Sequence, residues 1–343
     1  MPGSDSATLG TGDRAQEAAD RRRQLEETLD RWFAALAHNS AEGLPIADSI
    51  RFTEQAAAIP VGDGLFISTT EGPTGFKIVA TDETAGQVGA IAMMKMWDRP
   101  ALVTVRLKIV DGKITEAEHV IAPQLLPHGL ANLEVPRPAL LADLPESERT
   151  PREAMLRIAS SYFDAIEQDD GDLCPFDDGC VRRENGMQTT LNQSGQAFPM
   201  ENVEPERAAA MARMGAMTCR DQLNTGLMQY ITMIRPRRLQ IVDEQRGLVL
   251  GFPRFVHRGD NRRYPLTGVE GNDEFAMEFG PMDLQASELF KIRAGKVTDI
   301  EATGFLNAYL APTGWDDRYP ETYDHEITHP GTKPYRAGKG PCV

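Results

Sequence analysis

Cysteine is scarce in this chain. Four residues in 343, Cys174, Cys180, Cys219 and Cys342, include no C-x-x-C pair and are too few for a disulfide scaffold. Buried or surface thiols account for them. In an oxidising compartment, Cys174–Cys180 and Cys180–Cys219 would be the pairs to consider. Long apolar runs are missing too. No stretch approaches the eighteen or so residues that cross a bilayer, and the opening MPGSDSATLGTGDRAQ has no secretory apolar core. The expected location is therefore cytoplasmic. Basic charge is in deficit: 36 Lys and Arg stand against 51 Asp and Glu, for a net charge of -15. That disfavours nonspecific binding to nucleic acid or an anionic membrane. Also missing are a G-x-G-x-x-G after a strand, a Walker loop and a G-x-S-x-G elbow. Nothing points to a nucleotide, a flavin or an acyl-enzyme, and cofactor-free acid–base chemistry is the expectation.

One motif is conspicuous. Residues 325 to 329 read HEITH, a match to the H-E-x-x-H of zinc peptidases. Its context argues against a helix. Pro330 biases His329 away from helical geometry, and Ile327 and Thr328 are β-branched. Few residues follow to supply a third ligand. The motif reads as part of an irregular tail, and no metal site is expected.

What the chain does contain is a repeat. WFAALAHNSAEGLPIADSIRFTEQ (32–55) aligns without gaps on YFDAIEQDDGDLCPFDDGCVRREN (162–185). Phe33 falls on Phe163, Pro45 on Pro175, Asp48 on Asp178 and Glu54 on Glu184. Later, RLKIVDGKITEAE (106–118) echoes LFKIRAGKVTDIE (289–301), with Gly112 over Gly295. A period this long marks two copies of a domain and not a solenoid.

Each copy opens with a helix. Leu25, Leu29, Phe33 and Leu36 recur at helical spacing over 13–38, as do Met155, Ile158, Tyr162 and Ile166 over 151–168. Strands follow, and each echo reads as a hairpin around a Gly turn. The expected class is α+β: two tandem cone-shaped domains, each with an N-terminal helix packed on a curved antiparallel sheet. The expected boundaries are a disordered stretch over 1–19, a first domain over 20–122 and a linker over 123–150. A second domain over 151–310 and an irregular tail over 311–343 complete the chain. The second copy carries an insertion, roughly 191 to 227, expected to be helical over EPERAAAMARMGAM, and a further loop near 258 to 281.

The helix ending YFDAIEQDDGD, the PFDDGCVRREN corner and the LFKIRAGKVTDIE hairpin resemble the nuclear-transport-factor-2-like superfamily. That superfamily includes steroid isomerases, scytalone dehydratases and polyketide cyclases. The resemblance implies a helix and a curved sheet enclosing an apolar pocket. By position, the oxyanion tyrosine of the steroid isomerases falls on Tyr162 and Trp32. Their general-base carboxylate falls on Glu184 and Glu54, and their protonated aspartate on Ser287 and Thr104. The second copy keeps a phenol and a carboxylate, so it is the expected catalytic one.

Glu184 is the candidate base, beside Arg182, Arg183 and Asn185. Tyr162 is a candidate donor to a developing oxyanion. His257, ending a strand in LGFPRFVHR, is a candidate proton shuttle, and His119 is its expected counterpart in the first copy. Asn185, Gln188, Thr189, Asn224 and Ser287, with Arg182 and Arg183, are candidates to orient an oxygenated ligand. Arg235, Arg237 and Arg238 fit ion pairs on a strand face. Among the methionines, Met211, Met214, Met217 and Met228 are candidates to line a pocket.

The leading expectation is a cofactor-independent lyase acting on a small hydrophobic, oxygenated aromatic ligand. Superfamily members that cleave lignin-derived aromatic dimers set the precedent. An isomerase or cyclase on a polycyclic ketone is the alternative within enzymes. It would need a second oxyanion donor better than Ser287. A ligand-binding or assembly module is the alternative outside them. Sheets of this kind pair, so either a homo-oligomer or pairing of the two copies within one chain is expected.

Overall fold

The computed structural model describes residues 11–198, 204–271, 274–277 and 279–315. HEITH and Cys342 lie outside them. The first half holds α1 (Thr11–Ala37), β1 (Ile46–Glu54), β2 (Ala57–Ala58), α2 (Leu65–Ser68) and β3 (Thr69–Glu71). It continues through β4 (Lys77–Asp82), β5 (Gln87–Met96), β6 (Arg99–Val110) and β7 (Lys113–Ala122). Two short helices, α3 (Pro127–Ala131) and α4 (Pro138–Leu141), occupy the connector, and its Leu133, Leu140 and Leu144 are buried. The second half holds α5 (Arg152–Gln168), β8 (Phe176–Glu184), β9 (Met187–Gln188), α6 (Pro205–Ala216) and α7 (Cys219–Asn224). After these come β10 (Met233–Asp243), β11 (Leu248–His257), β12 (Arg263–Pro265), β13 (Glu274–Ala276), β14 (Met282–Arg293) and β15 (Lys296–Ala308). Helix α1 begins at Thr11, inside the stretch expected to be disordered. The helical insertion is α6 and α7, and the loop near 258–281 carries the β12–β13 hairpin.

The fold is α+β, with a helix laid on a curled, mostly antiparallel sheet in each half. Leu25, Leu29, Trp32, Phe33 and Leu36 give α1 its buried stripe. Met155, Ala159, Tyr162, Phe163 and Ile166 do the same for α5. The sheets share one connectivity. Strand β1 lies parallel to β7, which leads antiparallel through β6 and β5 to β4. Strand β8 lies parallel to β15, which leads through β14 and β11 to β10. Both predicted hairpins form. Asp111–Gly112 and Ala294–Gly295 have positive φ at both turn residues, the geometry that a two-residue turn between twisted strands requires.

The halves pack through the backs of their sheets. Ile78, Ile91, Leu102 and Val120 meet Leu248, Leu250, Phe252 and Leu289 in one shared core. Equivalent residues meet reciprocally. Arg22 of α1 makes a two-pronged ion pair with Asp243 at 2.7 and 3.1 Å. Its counterpart on α5, Arg152, does the same with Asp82 at 2.7 and 2.9 Å. Both carboxylates are buried, and each also accepts a backbone N–H from the opposite half, Thr81 for Asp243 and Val242 for Asp82. Thr104 and Ser287 hydrogen-bond each other at 2.6 Å. A contact between equivalent positions is the mark of a self-complementary, two-fold interface. Removing one member of such a buried pair costs about 3–5 kcal/mol, because the other charge is stranded.

Candidate functional site

The cavity of interest opens in the second half, between α5 and the concave face of the second sheet. Its floor follows from strand register. Glu184 of β8 sits beside Ala302 of β15, and Ala302 sits beside Glu288 of β14. Neighbouring strands lie about 4.8 Å apart, so the two glutamates flank a gap of about 10 Å measured between backbones. Only the Ala302 methyl occupies that gap. One step along, Gly304 pairs with Ala286, and the floor stays bare of large side chains. Tyr162 overhangs it from α5, wedged against Phe163, Phe176 and Phe290. Met228, Tyr230, Ile231 and Phe255 complete apolar walls, and the cavity volume is about 160 Å³. A cavity of about 150 Å³ holds benzene, so this one has room for a single six-membered ring.

Glu184 is solvent-exposed, with a side chain 45% exposed. Arg182 Nε holds its carboxylate at 2.8 Å, and Thr189 Oγ1 donates to it at 3.1 Å. Arg182 is fully buried, is steadied by Thr189 and by the Gln222 amide, and retains an unpartnered Nη1 among the described residues. Glu288 has the opposite environment. It is 5% exposed, and its Oε2 has no hydrogen-bond partner among the described residues. Burial, reinforced by the charge of Glu184 and opposed by Arg182, pushes its pKa well above the carboxylate range. Burial therefore favours its protonated form, a carboxyl able to donate. Burial, then the nearness of Glu288, also pushes the Tyr162 phenol well above 10, which keeps it protonated.

Four of the predicted polar residues line this cavity: Tyr162, Glu184, Asn185 and His257. Arg182 and Thr189 stand behind Glu184. The remaining candidates are engaged elsewhere. Arg183 points to the other face of β8 and donates to the Asn132 carbonyl. Gln188 braces its own turn through Thr190 and Leu191, and Asn224 accepts the Gly171 N–H. Ser287 sits on the back of β14 against Thr104, so it is not the second donor. The cavity-facing residue is its neighbour Glu288, because a one-residue step along a strand changes the face. Asn185 reaches the cavity, but its amide is taken up by both backbone groups of Gly304. Of the four methionines, Met228 is the one in the wall. Arg235 and Arg237 pair with Glu167, and Arg238 reaches Glu118 of the first half.

His257 stacks on Tyr230 at 5.4 Å with Phe279 at its edge. Burial lowers its pKa to about 4 against weaker support from the backbone of Phe255 and Met282. At neutral pH it is an uncharged imidazole with little proton to give. Nor is His119 its counterpart. His119 pairs with Glu54 as Ala302 pairs with Glu184, whereas His257 ends β11, the equivalent of β5. Glu288 and Tyr230 escaped the sequence reading. One signal for Glu288 was available: in LQASELF it shares a period-two face with Leu284, Ala286 and Phe290, an acid in an apolar row.

A family model described as a domain of unknown function, DUF8021, matches residues 148–304, which include every residue lining the cavity. No curated protein matches the chain. Among solved structures, the chain is similar to a candidate polyketide cyclase from Silicibacter sp. tm1040. Identity is 16% and the TM-score 0.25, over 45% of this chain and 90% of that one. It is also similar to AusH from Aspergillus nidulans, at 12% identity and a TM-score of 0.26, over 48% and 91%.

Proposed function

We propose that the chain is a tandem pair of nuclear-transport-factor-2-like units whose second unit is a cofactor-independent enzyme for small apolar carbonyl compounds. Its reaction is proton abstraction beside the carbonyl, as in isomerases and cyclases. The carrying observation is the row Glu184–Ala302–Glu288 beneath Tyr162. It puts an exposed carboxylate and two groups whose protonated forms burial favours around one apolar gap. Glu184 removes a proton from the carbon next to the carbonyl. Negative charge gathers on the carbonyl oxygen, where the Tyr162 hydroxyl and the Glu288 carboxyl donate to it. Glu184 then returns the proton to a different carbon, or the enolate carbon closes a ring. Glu288 supplies the second donor that Ser287 could not, which moves this reading ahead of the lyase. Elimination remains the second reading. It is favoured by the proton on Glu288, which can leave with a departing hydroxyl, whereas His257 is the wrong acid. A two-ring lignin-derived dimer would keep one ring outside the cavity.

Substituted phenols test the proposal, since a phenolate imitates a flat enolate. Binding followed by ultraviolet absorbance should tighten as the phenol becomes more acidic. Glu288→Leu should weaken the binding by about 10²-fold, the worth of one oxyanion donor. Equal binding of cresol and toluene would sink the proposal and favour a simple apolar carrier.

A further inference from the structure

Behind the Glu184 wall lie two thiols for which the acid–base reading has no use. Cys180 of β8 and Cys219 of α7 place their sulfurs 3.2 Å apart, and both residues are fully buried. The Cys219 sulfur also touches the Cys180 carbonyl at 3.3 Å and Thr190 Oγ1 at 3.6 Å. A disulfide needs about 2.05 Å, so the sulfurs must approach by little more than 1 Å. The third described cysteine, Cys174, is buried, and no contact of its sulfur with either thiol is found among the described residues. Of the two pairs open on sequence grounds, the geometry selects this one.

We infer that Cys180 and Cys219 are an oxidation site that closes reversibly to a disulfide with a small neutral peroxide as oxidant. The inference is independent of the acid–base reading. Both residues are fully buried, which is why an oxidant as small as hydrogen peroxide is specified. Cys219 is the attacking thiol. Its contact with Cys180 draws it down to about 7 against burial, with Arg182 adding to the pull, while the same contact pushes Cys180 up. The Cys219 thiolate attacks one peroxide oxygen, the O–O bond breaks, and hydroxide leaves and is protonated to water. Cys180 then attacks the sulfenic sulfur, the S–O bond breaks, and a second water leaves. Two thiols lose two electrons in all, and one peroxide becomes two waters. The bond would tie α7 to β8 one turn before Gln222, whose amide steadies Arg182 behind Glu184.

The test treats the folded full-length chain with hydrogen peroxide, blocks remaining thiols after unfolding, and maps the peptides by mass. Expected is a loss of about 2 Da in a Cys180–Cys219 cross-linked peptide, restored by dithiothreitol. In Cys180→Ser, which removes the resolving thiol, Cys219 should instead run on to sulfinic acid. The peptide map of the unsubstituted chain decides the matter alone should that variant not fold. Both thiols unmodified, or a cross-link to Cys174 or Cys342 instead, would overturn the inference.

Discussion

The two halves of this molecule hold one site twice, once filled and once open. In the first half the row is Glu54–His119–Val105, and in the second Glu184–Ala302–Glu288. Trp32 stands where Tyr162 stands. In the filled version the Trp32 indole donates to His119 Nε2 at 2.9 Å. His119 Nδ1 meets Glu54 Oε2 at 3.0 Å, and the Leu65 N–H meets the same oxygen at 2.9 Å. Phe52 and Phe66 pack edge-on against the indole. Every polar group there is spent on another, and the ring of His119 occupies the gap. In the open version the histidine has shrunk to a methyl and the indole to a phenol, which vacates a ring-sized space. Valine has become a glutamate, which gives the space a proton. The lesson is that a scaffold's carboxylate, paired in both halves, faces open space only where the side chain beside it in the sheet is small.

The largest expected contrast is between the paired glutamates. Glu184→Gln should lower turnover by about 10³-fold while the protein stays folded, within the range for losing a general base. Glu54→Gln should leave turnover nearly unchanged and lower stability by about 1–3 kcal/mol, because it disturbs buried hydrogen bonds. Parallel kinetics and denaturant unfolding on both variants check this. Equal turnover loss would place chemistry in both halves. No turnover to lose, with ligand affinity kept, would point to a binding module.

Next come the aromatic counterparts. Tyr162→Phe should cost about 10²-fold in turnover with little change in stability, because its ring packing survives. Trp32→Ala should cost about 3–5 kcal/mol in stability, the usual range for emptying a buried aromatic site. Thermal unfolding beside steady-state rates separates them. If Tyr162→Phe acted through stability instead, the open and filled sites would be alike after all.

The smallest contrast concerns pH. The folded-state pKa of His257, about 4, lies below its unfolded 6.5. Its neutral form is therefore favoured in the fold. The stability it contributes is full above pH 6.5 and is lost as pH falls toward 4, on the order of 3 kcal/mol at most. Asp283, raised by burial to about 6, works in the opposite sense: its contribution is full below its usual 3.8 and is lost as pH rises through 6. The two partly cancel in the native chain. His257→Gln should unmask Asp283, so that melting temperature falls as pH rises from 4 to 6.5. A variant with the same pH profile as the native chain would remove His257 from this balance.

Much of the fold was legible beforehand. Helical spacing in LEETLDRWFAAL and in MLRIASSYFDAI located both helices, and Gly112 and Gly295 located both hairpins. These signals are local, because a helix stripe or a left-handed turn is written within a dozen residues. The alignment of 32–55 on 162–185 also singled out Glu54 and Glu184, Trp32 and Tyr162. What failed was pairing across strands. The donor position carried over to Ser287 lies on the back of β14, one residue from the cavity-facing Glu288, and matching His257 to His119 joined strands with different places in the sheet.

Sequence by itself thus determined the two helices, the two hairpins and four of the cavity's polar groups: Tyr162, Glu184, Asn185 and His257. Tertiary structure decided which copy is open. Val105 and Glu288, like His119 and Ala302, are distant in sequence from the carboxylates they flank, and both faces of β6 and β14 are buried. Period-two spacing put Glu288 in an apolar row, but with both faces buried hydropathy alone does not say which face looks into the cavity. Only the docking of the two sheets, back to back through Thr104 and Ser287, leaves Glu288 facing inward, where burial favours its protonated form.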